Sequence, residues 1–203
     1  NKFDLNFKFS QNIKYNFFPR PHFIIADSII SDNEIEISKI SKLKIFVSLD
    51  NLFTLKNIEV SDLIFENANF NLNKKNYIFF NQLLNTDFKD KSLTIKKGNI
   101  FFRNSENEVM FINKILKMKY YYEPKELKNI FYSDNEIFNI PYSIKSFFNE
   151  DKSKIFSQIN FNHIKLKIFN ELNLRKKQKI GRSDLILKNL KLIAEYKIDK
   201  NSF

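Results

Sequence analysis

Cysteine and tryptophan are absent from the 203 residues, and glycine occurs only twice, as Gly98 and Gly181. The missing cysteine excludes a disulfide scaffold, a thiol nucleophile and a Cys-ligated zinc, and it leaves the compartment open. Two glycines are too few for the phosphate-cradling loops of P-loop and dinucleotide folds, whose turns need several. No apolar run approaches the roughly 18 to 20 residues that a spanning helix requires. The N-terminus lacks a charged start followed by an apolar signal core. Gly-x-Ser-x-Gly and His-Glu-x-x-His are missing too. The two histidines, His22 and His163, lie far apart, and neither has a ligating partner two to four residues on. Acidic residues such as Asp32, Glu34, Glu36, Glu106 and Glu108 single out no glycosidase pair. These absences point away from an enzyme, and no cofactor or metal is expected.

Charge of one sign is plentiful. Lys and Arg number 34 against 23 Asp and Glu, for a net charge of +11. Clustered cations neutralise phosphates, which invites a nucleic-acid reading. Yet Lys, Asn, Ile and Phe dominate while Gly, Ala, Arg and Pro are scarce, the signature of A/T-rich codons. Net charge of that origin speaks to solubility rather than function, so no nucleic-acid partner is expected. The densest basic cluster is Arg175, Lys176, Lys177 and Lys179, with Arg182 beyond. It reads as a hairpin tip available for head-group contact, where each cation near an anionic surface is worth about 1 kcal/mol.

Period-2 alternation recurs from end to end. Phe3, Leu5, Phe7 and Phe9 alternate with polar residues, and Leu43, Ile45, Val47 and Leu49 alternate with Lys44, Phe46 and Ser48. The pattern returns at Leu116, Met118, Tyr120 and Tyr122, at Ile164, Leu166 and Ile168, and at Leu190, Leu192, Ala194, Tyr196 and Ile198. Successive strand side chains point to opposite faces, so each segment presents one apolar and one polar face. That describes an antiparallel sheet with one face wet. Several strands look long, about 10 to 16 residues against a usual 5 to 6. Short helices are expected over 48–53, 77–84 and 124–131, the last with Pro at its first turn. The apolar parity switches at Gly98, from Leu93 and Ile95 to Ile100 and Phe102, which signals a bulge or turn. Gly181 is expected in the turn joining the last two strands. The whole reads as one mainly β domain over 1–203, and a start at Asn1 rather than Met suggests a piece of a longer chain.

One stretch carries more than periodicity. It runs from Tyr15-Asn16-Phe17-Phe18-Pro19-Arg20-Pro21-His22-Phe23 through Leu43-Lys44-Ile45-Phe46-Val47-Ser48-Leu49-Asp50-Asn51-Leu52-Phe53. Ile58-Glu59-Val60, Leu63 to Leu72 and Asn76-Tyr77-Ile78-Phe79-Phe80 follow, then Leu93 to Arg103 with Gly98 at its centre, and Asn139-Ile140-Pro141-Tyr142. This resembles the N-terminal part of the AsmA family of bacterial envelope proteins. The family's pattern has a Pro-x-Pro turn, an apolar strand, a Leu-rich segment, an Asn-Trp-like motif and a glycine-centred strand. Lys56, Ala68 and Tyr77 depart from it where glycine, proline and tryptophan are common.

The resemblance implies a periplasmic protein anchored to the inner membrane by a segment outside this chain. It implies a long, curved, antiparallel β-sheet forming an open groove, related to bridge-like lipid-transfer proteins. The implied partner is a phospholipid or other acyl lipid, and the implied role is lipid transport or outer-membrane homeostasis. The groove lining would then be the apolar phase of the strands. Its first half is Leu43, Ile45, Val47, Leu93, Ile95, Ile100 and Phe102. Its second half is Leu116, Met118, Tyr120, Ile164, Leu166, Ile168, Leu190 and Leu192. The same alternation also describes a sheet closed over its own core. A structural or protein-binding β domain of the envelope, and then a basic nucleic-acid-binding β protein, are the alternatives.

Overall fold

The computed structural model describes residues 6–32, 35–48, 59–73, 80, 83–84, 86–174 and 179–198. The described residues form one open sheet of 13 strands, mostly antiparallel. In chain order these are β1 (Asn6–Lys8), β2 (Ile13–Asn16), β3 (His22–Asp32), β4 (Ile35–Val47), β5 (Val60–Leu72), β6 (Ser92–Arg103) and β7 (Val109–Glu123). β8 (Lys128–Ile137), β9 (Ile140–Phe148), β10 (Lys154–Phe161), β11 (Leu166–Asn173), β12 (Lys179–Leu187) and β13 (Leu190–Ile198) complete it. From β3 onward each strand pairs with the next, while β1 and β2 both pair with β3.

Most strand segments expected from alternation are present, with lengths up to 15 residues in β7, but Phe9 follows β1, and Phe3, Leu5 and Leu49 lie outside the described residues. The helix expected over 124–131 is not. Residues 124–127 form a turn and β8 begins at Lys128, because Ile130 and Phe131 are taken up in strand pairing. The expected helix over 48–53 lies almost wholly outside the described residues. Of the one over 77–84, Phe80, Leu83 and Leu84 are described and helical. Gly181 is also not in a turn. It sits inside β12, and residues 188–189 make the last turn.

One pairing breaks the antiparallel pattern: β5 and β6 run parallel. Parallel neighbours need a crossover, and described residues of the connection between these strands pack on one sheet face. Its residues Leu83, Leu84 and Phe88 are buried against Leu43, Phe65, Phe70, Leu93, Ile95 and Tyr120. Polar groups fix it there. The Tyr120 hydroxyl donates to the Phe80 carbonyl at 3.2 Å, and Asn129 Nδ2 donates to the Thr86 carbonyl at 2.7 Å. Phe88 stacks on Tyr120 with centroids 5.8 Å apart.

A transverse line of irregularities crosses five strands. Asp27, Ser41, Asn67, Lys97 and Leu116 have no partner in the ladders that continue on either side of them. Asp27, Asn67 and Lys97 hold positive φ, at 51°, 54° and 58°. At this line the inward parity switches: from Phe65 to Ala68 in β5, from Ile95 to Gly98 in β6, from Met118 to Ile115 in β7. β8 does not switch, and Leu116 is the extra residue that absorbs the difference. Gly98 therefore marks the switch without occupying its strained position. Its lack of a side chain serves another purpose: a Cβ there would overlap the Ala68 carbonyl in the parallel partner. Both glycines have ordinary φ, and the left-handed positions are filled by other residues, Lys165 and Lys188 among them.

Candidate functional site

Only part of the inward face is closed by the crossover. Over β9 to β13 the same face carries aliphatic side chains in rows that run across the strands. Ile144, Ile159, Ile168, Leu185 and Leu192 are successive register partners from β9 to β13. Beside them run Phe161, Leu166, Leu187 and Leu190, with Tyr142 stacked on Phe161 at 4.9 Å. Among the described residues nothing comparable to Leu83 or Phe88 covers these rows. Leu190 and Leu192 are 73% and 63% exposed, and none of the row residues belongs to the buried core cluster.

The opposite face of these strands is mixed, with ion pairs set among Phe147, Phe156, Phe169, Ile186 and Ile193. Lys154 pairs with Glu171 at 2.6 Å, and Asp184 receives both Arg182 at 3.0 Å and Lys191 at 2.8 Å. Those two cations hold the Asp184 carboxyl below the usual carboxylate range. Glu126, at the turn before β8, is lowered by Lys145 and Lys128 in the same way. Further along, burial pushes Glu66 upward, but Lys44 at 2.7 Å and Lys42 at 3.1 Å outweigh it and hold the carboxyl low. All the ion pairs named here thus fall on one face, and the other carries no charged side chain over β9 to β13 except Lys179 among the described residues.

The expected lining residues divide between two environments. Leu43, Val47, Leu93, Ile95, Ile100, Met118 and Tyr120 are buried, and Ile45 and Phe102 pack against the core. Around them the face is filled by the chain's own crossover. Leu166, Ile168, Leu190 and Leu192 stand on the uncovered part. Two residues are placed differently from expectation. Leu116 is the extra residue of β7, 44% exposed, because the interruption takes it out of phase with Met118 and Tyr120. Ile164 lies in the turn 162–165 rather than in a strand, since the β10–β11 ladder closes at Phe161 and Leu166. Of the basic cluster, Lys179 opens β12 and is exposed, and Arg175, Lys176 and Lys177 lie outside the described residues.

A polar seam runs through the aliphatic face, and the alternation reading passed over it. Ser146, Ser157, Asn170 and Ser183 are successive partners from β9 to β12. Ser146 donates to Ser157 Oγ at 2.8 Å. Asn170 Oδ1 accepts from Ser183 at 2.8 Å and from the Tyr196 hydroxyl at 2.7 Å. Deeper along the face, Tyr142 donates to Asn113 Oδ1 at 2.6 Å, and Asn113 and Ser133 both donate to Asn135 Oδ1. Burial pushes the Tyr142 phenol up to about 12. The signal was present in the sequence: each of Ser157, Asn170 and Ser183 occupies the apolar phase of its own strand.

His22 is buried and stacks on Phe46 at 4.7 Å, with Nδ1 2.7 Å from the Arg20 carbonyl, so it serves packing. His163 lies exposed in the turn 162–165. Among the described residues no three His, Asp or Glu gather as a metal site, and no helix is long and apolar enough to cross a membrane.

No protein-family model matches the chain, and no curated protein matches it. The functional reading therefore rests on the face itself.

Proposed function

We propose that this chain is a non-enzymatic carrier of acyl lipids, with hydrocarbon lying along the uncovered aliphatic face of β9 to β13. The observation that carries this reading is the row from Ile144 to Leu192, which crosses five strands without a cover among the described residues. Strand spacing of about 4.8 Å gives such a row a run of about 19 Å. That compares with about 15 Å of hydrocarbon per leaflet, half of a 30 Å bilayer core. Each methylene moved from water onto the row gains about 0.8 kcal/mol. Hydrocarbon has no need of a fixed partner geometry, which suits a smooth file of Ile and Leu better than a shaped pocket. The resemblance to the AsmA family supports the same reading. On that basis the chain belongs to an inner-membrane-anchored periplasmic protein engaged in phospholipid transport or outer-membrane homeostasis.

Native mass spectrometry of the protein purified from a bacterial envelope tests this. Phospholipid adducts are expected, and Ile168→Asp with Leu185→Asp should remove them while the fold survives. Wild-type protein that carries no lipid and takes none from vesicles would overturn the reading. A stoichiometric protein bound across the same face would favour the protein-binding alternative instead.

A further inference from the structure

The polar seam narrows the class of lipid. This step rests on the reading of the β9–β13 face given above. Asn170 Oδ1 is taken by the hydroxyls of Ser183 and Tyr196, which orients the side-chain amide and leaves its NH2 group as a pair of donors. Among the described residues Asn170 Nδ2 has no acceptor. Ser146 and Ser157 share one hydrogen bond between two hydroxyls, so one hydroxyl proton there is also left over. Ser157 and Asn170 are direct register partners on β10 and β11, which puts their Cβ atoms about 5 Å apart. On either side along the strands stand Ile155 and Leu172, then Ile159 and Ile168.

Two spare donor groups, the Asn170 NH2 and a serine hydroxyl, side by side between aliphatic rows, are matched by a neutral oxygen acceptor embedded in hydrocarbon. A carbonyl oxygen with two lone pairs fits that description. A phosphate fits poorly, because this face of β9 to β13 carries no charged side chain among the described residues except Lys179 at its margin. A bare hydrocarbon fits poorly as well, because it would strip water from the two donors and return nothing.

We infer that this face takes ester-linked acyl lipids, whose carbonyl oxygen is received by Asn170 and the Ser146–Ser157 hydroxyl pair. The chains then lie along the Ile144–Leu192 row, and the anionic end of such a lipid points toward the Lys179 margin.

The test is a competition in mixed vesicles between dihexadecanoyl phosphatidylglycerol and its dihexadecyl ether analogue, which has the same head group and chain length but no carbonyl. Lipid taken up by the protein is counted by native mass spectrometry. Wild-type protein should prefer the ester about 3- to 10-fold, the worth of a net hydrogen bond. Asn170→Ala should bring the ratio close to one, lowering ester uptake and raising ether uptake, because the donors that the ether leaves unsatisfied are gone. Ser157→Ala should lower it part of the way, and it stands in as the test if Asn170→Ala does not fold. Equal uptake of both lipids by wild type, or a preference untouched in folded variants, would overturn the inference and leave the carrier reading standing. Uptake of neither lipid would overturn both.

Discussion

Gly181 lies beneath the ring of Tyr196 in the neighbouring strand, so that even a methyl group on Gly181 would overlap the phenol. The same phenol donates to Asn170 Oδ1, which ties the edge strand β13 to the polar seam two strands away.

Gly181→Ala should therefore swing the Tyr196 ring aside and break that hydrogen bond, at a cost of about 1 to 3 kcal/mol. Gly98→Ala should cost more, since the obstacle there is the Ala68 carbonyl of the parallel partner, which has no side-chain freedom to move. Urea unfolding of both variants decides the order. The double variant Gly181→Ala with Tyr196→Ala should lose less than the sum of the singles, because the clash disappears with the ring.

The division of the inward face into covered and uncovered parts has a direct energetic signature. Leu43→Ala and Leu93→Ala, both fully buried beneath the crossover, should each cost about 2 to 5 kcal/mol. Leu192→Ala, on the uncovered rows, should stay within about 0.5 kcal/mol. Similar losses at all three sites would mean that the β9–β13 face is packed and not available to a ligand.

Alkaline pH probes the seam. Burial raises Tyr142 to about 12 and Tyr120 well above its ordinary value. A phenol whose folded pKa lies above the unfolded value near 10 contributes stability that is complete below pH 10 and is lost as pH rises through the folded pKa. Unfolding free energy should thus fall between pH 10 and 12, with Tyr142 contributing about 1 to 2 kcal/mol once screening of its part-exposed ring is allowed for. Tyr142→Phe should flatten part of that decline. A wild-type curve already flat from pH 8 to 12 would contradict the assignment.

Strand content was legible because alternation is a direct record of two-faced pairing, as in Met118 to Tyr122 or Leu190 to Ile198. Strand direction was not, because a parallel strand such as β6 alternates like any other. The β5–β6 crossover therefore went unread, and with it the closing of the face around Leu43 and Leu93. The helix expected after Pro124 failed because a four-residue turn and the start of a strand share its composition. Gly181 was misplaced because a glycine between a basic run and Arg182-Ser183-Asp184 fits a turn, whereas here both glycines make room for a neighbour. The seam was written plainly at Ser157, Asn170 and Ser183, polar residues standing in an apolar phase. A reading that credits apolar matches alone overlooks them.

The line from Asp27 to Leu116 bears on how this sheet tolerates change in chain length. Because the strands reverse phase at the same level, their halves are locked in step. Deleting Asn67 would leave β5 one residue short at that level against both β4 and β6, and each ladder would then need a bulge of the kind Leu116 makes against β8. A length change in one interior strand of this group is therefore costly, since it adds a bulge on either side, whereas a concerted change adds none. In β9 to β13, where the ladders run without interruption, the hairpin turns are free to lengthen or shorten independently.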